Sequence, residues 1–226
     1  MATDTKKHYI VPIGCSCITQ FQLNFAYTEK QYVSQIFDWN LFTPDSLINI
    51  LESNFESLAN ASENIQIHLP GIVKAGNLPG YYWWHANKII GENKSFQSIE
   101  EFEEKIGSAF RSKLHYQIDK FMNISDSSNL VFIWSNAQPN LKKALTVHWE
   151  SNDFNLTNNR YQKICSLIKG KYPNSTVKFA VREEITDKEI LCQEDVYVIN
   201  VPISDEYEGD KSLFTEAGIL EATHRD

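Results

Sequence analysis

Two cysteines that follow a predicted strand are the residues best suited to chemistry in this chain. Residues 9–17 read Tyr-Ile-Val-Pro-Ile-Gly-Cys-Ser-Cys, so Cys15 and Cys17 come directly after an apolar, β-rich run. In open α/β sheets, ligands bind just outside the carboxyl ends of strands. A thiol at a helix N-terminus has its thiolate stabilised by the helix dipole, which lowers the thiol pKa. Because residues 16–28 predict a helix, the pattern places nucleophilic sulfur at a strand-to-helix turn.

The same two cysteines also suit a structural role, since free cysteine packs as a small apolar residue. Zinc binding requires a second Cys or His pair at ligand spacing, and none accompanies this Cys-x-Cys. We therefore expect no metal and no other cofactor. Of the remaining cysteines, Cys165 lies on an apolar helical face and Cys192 lies among charged residues.

A cysteine nucleophile needs a base and a group that orients the base. His85 stands out as the base, because it follows the aromatic block Tyr81–Trp84 in a glycine-bracketed segment. Asp38 lies between Phe37 and Trp39 and should be partly buried, and a buried carboxylate is rarely left without a partner. It either orients the base or holds backbone amides in a turn. The aromatic block belongs either to the core or to a platform that stacks on a sugar or a base.

The predicted elements alternate between strands and helices. Thr43 and Ser98 are expected N-caps, with Pro44 at the first helical position. The predicted strands are 8–13, 130–134, 177–181 and 196–201, and the predicted helices are 16–28, 44–55, 98–122, 157–170 and 213–222. This order predicts an α/β fold with a three-layer, mostly parallel sheet flanked by helices. A loop-rich aromatic insertion covers about residues 59–95, and we expect a single domain over 1–226.

Composition excludes several classes of partner. The formal net charge is −8, and from Lys171 onwards six Lys and Arg stand against thirteen Asp and Glu. That balance offers no basic face for nucleic acid. No run approaches the roughly 18–20 apolar residues that span a bilayer, and no secretory signal follows the first lysines. Four cysteines do not form a disulfide framework in a chain of this length, so we expect a cytoplasmic protein of unknown oligomeric state.

Three motifs together resemble a bacterial family of unknown function that is catalogued as papain-like cysteine peptidases. They are Val11-Pro-Ile-Gly-Cys-Ser-Cys17, Phe37-Asp38-Trp39 and Trp84-His85. The chain departs from the family pattern at Ile36, where proline is frequent, and at Pro12-Ile13, where an apolar residue and Leu are usual. The resemblance covers residues 9–55 best. It implies Cys17 as nucleophile, Asp38 and His85 as its partners, and sugars as relevant ligands, since members occur beside polysaccharide-synthesis enzymes.

These observations predict a cysteine-dependent hydrolase or acyl transferase acting on a small-molecule, peptide or glycan substrate. The strand-end thiol also resembles the position of the nucleophile in lipase-like SGNH hydrolases, so ester chemistry stays open. We expect the substrate to be contacted by the residues around the thiol and the aromatics, namely Cys15, Ser16, Trp39, Tyr82 and Trp84. Two alternatives remain: a glycan-related transferase or sugar-binding protein that uses the Tyr81–Trp84 segment with Cys17 structural, and a non-catalytic binding module.

Overall fold

The structure, a computed structural model, describes residues 9–26, 35–38, 40–89, 96–127, 129–138, 153–201 and 211–220. Within these ranges, no helix is both long enough and apolar enough to cross a membrane.

Eight strands and eight α-helices are formed by the described residues. The strands are β1 Tyr9–Pro12, β2 Leu41–Phe42, β3 Ile65–Leu69, β4 Ile72–Ala75, β5 Tyr81–Trp83, β6 Leu130–Ser135, β7 Thr176–Val181 and β8 Val196–Val198. The helices are α1 Ile18–Ala26, α2 Pro44–Glu52, α3 Glu56–Ala61, α4 Ala86–Ile89, α5 Ile99–Phe102, α6 Ser108–Met122, α7 Asn158–Lys171 and α8 Leu213–Glu216. A π-helical turn, Glu103–Gly107, joins α5 to α6, and a 3₁₀ turn spans Glu183–Ile185.

Four strands form a parallel sheet in the order β1-β6-β7-β8. Tyr9 pairs with Leu130, Val131 with Thr176, and Phe179 with Val196. Strand β1 lies at the edge, where Pro12 is tolerated because its missing N–H deprives no neighbouring strand of a hydrogen bond. The strands predicted at 8–13, 130–134, 177–181 and 196–201 are therefore confirmed as members of one parallel sheet.

A second sheet of equal size is antiparallel, in the order β2-β5-β4-β3. Its β3–β4 hairpin turns through Gly71, whose φ of +80° suits glycine. The α/β class is confirmed, but a second four-stranded sheet was not predicted. The reason is that β3, β4 and β5 arise from the segment predicted as a loop-rich insertion, whose strands are three to five residues long and interrupted by glycine and proline.

Side chains alternate between the two faces of the parallel sheet and enter two separate core clusters. Val11, Phe132 and Phe179 point to the face shared with the antiparallel sheet, α6 and α7. Ile10 and Ile133 point to the opposite face, where α1 and α8 contribute Leu23, Ala26 and Phe214. Both faces are thus covered, which explains why the strands are continuous apolar runs.

The helix starts follow the predicted caps. The hydroxyls of Thr43 and Ser98 accept hydrogen bonds from the backbone N–H groups of Ser46 (3.3 Å) and Glu101 (3.3 Å). Helix α2, however, ends at Glu52 and not near Phe55. Asn54 and Phe55 adopt positive φ values of 52° and 71°, which break the helix while Phe55 still turns into the core.

Candidate functional site

The thiol turn, Gly14–Cys17, extends the parallel sheet beyond β1. The N–H groups of Ile13 and Cys15 donate to the carbonyls of Ile133 (2.8 Å) and Ser135 (2.8 Å) on β6. The carbonyl of Cys15 then accepts a hydrogen bond from the N–H of Phe42 on β2, at 3.0 Å. The thiol turn therefore lies where the carboxyl edge of the parallel sheet meets the antiparallel sheet.

Gly14 allows the chain to turn tightly at this junction. A Cβ atom at this position would lie 2.3 Å from Thr19 Oγ1 and 3.0 Å from the backbone nitrogen of Ser135. The first distance is shorter than real Cβ contacts, and the second is tighter than most of them. A side chain at Gly14 would have to displace the Thr19 hydroxyl and would crowd the backbone of β6, so the close approach of the thiol turn to β6 favours glycine here.

Cys17 immediately precedes α1 and takes part in its first turn. Its carbonyl accepts a hydrogen bond from the N–H of Phe21 (3.0 Å), and the hydroxyl of Ser16 accepts one from the N–H of Ile18 (3.5 Å). Cys17 is 3% exposed and Ser16 is buried as well. The thiol thus occupies the N-terminus of a nine-residue helix, where the helix dipole favours negative charge.

Cys15 and Cys17 are both buried, at 1% and 3% exposed, but of the two it is Cys15 that belongs to the main core cluster. Burial raises the pKa of the Cys15 thiol well above its ordinary value, and the charge of Arg160 lowers it only in part. Cys15 is therefore a neutral, packed thiol at physiological pH, which favours Cys17 as the reactive sulfur of the pair.

Asp38 closes a tight turn ahead of β2. Its Oδ2 accepts a hydrogen bond from the N–H of Gln35 (2.6 Å), and its own N–H donates to the Gln35 carbonyl (3.2 Å). The Gln35 side chain in turn donates to the hydroxyl of Tyr9 on β1 (2.8 Å). The Asp38 carboxylate therefore holds a backbone amide in a turn, which is one of the two roles predicted from the sequence. Through Gln35 and Tyr9, this turn is also linked to the parallel sheet.

A cation on α6 interacts with Asp38. Burial lowers the pKa of Lys120, whereas the charge of Asp38 opposes that shift. The two residues are brought near each other by their neighbours, because the rings of Phe37 and Phe121 meet edge-to-face with centroids 5.6 Å apart. The Asp38 carboxylate is therefore buried near a cation of α6.

His85 lies at the end of β5, directly before α4. Strands β2 and β5 are antiparallel, with Leu41 opposite Tyr82, so the residues before β2 lie alongside those after β5. Asp38 stands three residues before Leu41, and His85 three residues after Tyr82. The register thus directs Asp38 and His85 to the same end of the antiparallel sheet. Asn40 reinforces this end by donating to the Tyr81 hydroxyl (3.0 Å).

The aromatic block is largely part of the core. Tyr81, Tyr82 and Trp83 are at most 1% exposed. Trp83 packs edge-to-face on Phe110 and on Tyr81, and Tyr82 packs on His68. Trp84 is half-buried against the same cluster, and Trp39 lies outside the described residues. Of Tyr81–Trp84, Trp84 is thus the residue with a ring surface open to a ligand.

A row of polar residues follows the strands next to β1 and was not predicted. Asn136 and Gln138 come after β6, Arg182 after β7 and Asn200 after β8. The first three are buried. The Asn136 amide accepts a hydrogen bond from the N–H of Arg182 (2.9 Å) and donates to the carbonyl of Phe154 (3.2 Å). Asking which residue follows each predicted strand would have found this row from the sequence.

Among the residues that the structure describes, no group of three or more His, Cys, Asp or Glu side chains is arranged to hold a metal ion.

Comparison with protein-family models, curated proteins and solved structures gives no match to this chain.

Proposed function

We propose that this chain is a cysteine-dependent hydrolase or acyl transferase whose nucleophile is Cys17. The observation that carries the proposal is the position of Cys17: a thiol at the carboxyl edge of a parallel sheet and at the N-terminus of α1. This is the place where open α/β sheets bind ligands and where a thiolate is stabilised. The resemblance to papain-like cysteine peptidases assigns the same residue the same role.

In the proposed reaction, His85 removes the proton from the Cys17 thiol and Sγ attacks the acyl carbonyl of the substrate. The bond from the carbonyl carbon to the leaving group breaks, and His85 returns the proton to that group. A water molecule or a second nucleophile then attacks the thioester, loses its proton to His85, and releases Cys17, which takes the proton back. Asp38 orients His85. Backbone N–H groups at the start of α1 stabilise the oxyanion, a contribution of about 3–4 kcal/mol.

Around this centre we propose that Ser16, Trp39 and Trp84 form the substrate contacts, whereas Cys15 and Tyr82, each 1% exposed, pack in the core instead of contacting the substrate. We also propose that the fold has three layers, with the aromatic segment as an insertion. In support of this, core clusters cover both faces of the parallel sheet. We also propose a cytoplasmic location. Its support is that Cys15, Cys17, Cys165 and Cys192 are all free thiols, which is typical of proteins in a reducing compartment.

Acylation by p-nitrophenyl acetate tests the proposal on the full chain. We expect release of p-nitrophenolate together with an acetylated protein whose modified residue, located by mass spectrometry of peptides, is Cys17. Cys17→Ala should abolish both signals. Cys192→Ala is the matched control, because Cys192 is an exposed thiol far along the chain from the site, and it should leave both signals unchanged.

His85→Ala and Asp38→Asn should each lower the acetylation rate, by about 10²-fold or more for the base. Acetylation that persists in Cys17→Ala would contradict the proposal. The alternative of a glycan-related transferase or sugar-binding protein would be favoured if Trp84→Ala removed ligand binding while Cys17→Ala did not.

A further inference from the structure

Asp38 is a buried carboxylate, and its charge needs compensation. It is 6% exposed, and its Oδ2 accepts a hydrogen bond from the backbone N–H of Gln35 (2.6 Å). Neutral donors replace only part of the hydration of an ionised carboxylate, so a buried carboxylate takes up a proton readily where no cation is near. The proposed orientation of His85 requires the ionised form, because that form balances the positive charge that the imidazole gains.

Lys120, in the last turn of α6, is a cation near Asp38. Burial lowers the pKa of Lys120, the charge of Asp38 raises it, and the charge of Lys113 lowers it. Lys120 is partly buried, whereas Lys113 is exposed and lies two turns earlier on the helix. Opposite charges that are partly buried are screened less by water and salt than charges on the surface. Lys120 and Asp38 therefore interact between α6 and the turn before β2.

Three phenylalanines hold the end of α6 against this turn. The ring centroid of Phe121 lies 5.6 Å from that of Phe37 and 4.8 Å from that of Phe55. The centroids of Phe37 and Phe55 are 5.9 Å apart, and all three rings are buried. Because Phe37 and Phe121 are the sequence neighbours of Asp38 and Lys120, these packed rings keep the two charged residues close together. The pairing thus has a basis in the packing of the core.

Other titratable groups face the same place. The hydroxyl of Tyr9 on β1 accepts a hydrogen bond (2.8 Å) from the turn that Asp38 closes. Tyr172 on α7 donates to the carbonyl of Phe121 (2.9 Å), and burial raises the pKa of Tyr172 to about 12. His85 lies at the end of β5 to which the register directs Asp38. Tyr172 stays neutral where a histidine titrates, so a change in the charge of Asp38 should be felt at His85.

We infer that Lys120 is a positioning residue for the proposed reaction. Its ammonium group keeps the Asp38 carboxylate ionised, and the ionised carboxylate orients His85 for removal of the proton from Cys17. The role rests on the proposed function, since Lys120 acts through Asp38 and His85. The pairing of Lys120 with Asp38 does not depend on any reaction, so it can be measured separately.

Titration of Asp38 in the full chain tests the pairing. The ¹³Cγ signal of Asp38, assigned by its loss in Asp38→Asn, reports ionisation of the carboxyl group. Lys120→Met should move the midpoint of this titration up by at least about 1 pH unit, because a buried carboxyl that loses an opposite charge holds its proton to a higher pH. Lys120→Arg should keep the parent's midpoint. An unmoved midpoint in Lys120→Met would overturn the inference.

Lys171→Met is the matched control for this titration. Lys171 is also a partly buried lysine in the last turn of a helix, and burial lowers its pKa. No carboxylate of the described residues contributes to that pKa shift. Lys171→Met should therefore leave the Asp38 midpoint in place, and an equal movement in both variants would count against a specific pair.

The rate of Cys17 acetylation by p-nitrophenyl acetate tests the positioning role. In Lys120→Met the rate should fall about 10-fold or more near pH 6, where Asp38 is then protonated, and the loss should shrink as the pH rises past the new midpoint. A merely structural role would lower the rate equally at every pH. A moved midpoint with an unchanged rate would overturn the positioning role and leave the proposed function standing. Acetylation that persists in Cys17→Ala would contradict the proposed function, and the carboxyl titration would still decide the pairing.

A double variant decides the pairing if Lys120→Met folds poorly. Lys120→Met leaves Asp38 buried without its cation, and adding Asp38→Asn removes the uncompensated charge. The double variant should therefore resist urea better than Lys120→Met alone, which is the sign of direct coupling between the two residues. A double variant that is no more stable than Lys120→Met would overturn the inference.

Discussion

The two four-stranded sheets differ in the kind of side chain found in or directly after their strands. In the parallel sheet, each of β6, β7 and β8 is followed within one or two residues by an amide or guanidinium side chain, and β1 is followed three and five residues later by the thiols of Cys15 and Cys17. In the antiparallel sheet, strand β5 consists of Tyr81, Tyr82 and Trp83, whose rings are buried. The thiol, amide and guanidinium side chains are therefore concentrated at one edge of the parallel sheet, while the aromatic residues of β5 provide packing.

The largest expected effect tests the packing role of the aromatic block. Trp83→Ala should lower the free energy of unfolding by about 3–5 kcal/mol, because Trp83 is fully buried against Phe110 and Tyr81. Trp84→Ala is the matched control and should cost less than about 2 kcal/mol, since its ring is only half-buried. Urea denaturation measures both. If both substitutions lowered the free energy of unfolding equally, Trp83 would not be more important for packing than Trp84.

The next effect tests how closely the thiol turn is packed. Gly14→Ala should lower the free energy of unfolding by about 1–3 kcal/mol, because the new Cβ collides with Thr19 Oγ1 and the backbone of Ser135. Adding Thr19→Ala should recover part of the loss by removing the closest contact. Gly170→Ala is the control, since nothing lies within 4 Å of its added Cβ. A Gly14→Ala protein as stable as the parent would mean that the turn is looser than described.

The pH dependence of stability distinguishes Cys15 from an exposed thiol. Folding raises the pKa of Cys15 above its ordinary value of 9.0, so the unfolded chain loses this proton at a lower pH than the folded chain. The stabilisation is complete at neutral pH and declines as the pH rises past 9. Between about pH 8 and about pH 10 the unfolding free energy should fall by roughly 1 kcal/mol more in the parent than in Cys15→Ala.

Denaturation at several pH values measures this difference. Tyr81 also has a raised pKa because of its burial, but it is present in both proteins and cancels in the comparison. Identical curves for Cys15→Ala and the parent would show that the thiol is not shielded as the core position implies.

The smallest expected effect on stability concerns Asp38. Asp38→Asn retains an oxygen that can accept from the N–H of Gln35 but loses the charge, so the unfolding free energy should fall by about 1 kcal/mol or less. The acetylation rate described above should fall far more if Asp38 orients His85. A loss of stability with an unchanged rate would assign Asp38 to the turn alone.

Much of the parallel sheet is predictable because its strands are continuous apolar runs. Leu130–Ser135 is buried along its whole length and Thr176–Val181 along most of it, and such segments have few alternatives to a central strand. The caps at Thr43 and Ser98 are local hydrogen bonds and can likewise be predicted from a few neighbouring residues. The antiparallel sheet is harder to predict, because β2 has two residues and β5 has three. Such strands are too short to show an alternation of apolar and polar residues.

The candidate site likewise has a part that can be predicted from the sequence and a part that depends on contacts between distant segments. The thiol turn follows from the order of a strand, a glycine and a helix, all within residues 9–26. The approach of Asp38 to the end of β5 depends on the register between β2 and β5, which join residues about 40 positions apart. The row of polar residues after β6, β7 and β8 depends on these strands being neighbours in a parallel sheet.

The sequence by itself determined the α/β class, the four parallel strands, the helix starts and the placement of Cys17 between a strand and a helix, because these depend on local periodicity and short-range hydrogen bonds. Only the tertiary structure decided that Cys15 is shielded, that the aromatic block is core, and that Lys120 of α6 lies near Asp38. Burial and strand neighbourhood depend on contacts between distant segments, and no local pattern contains them.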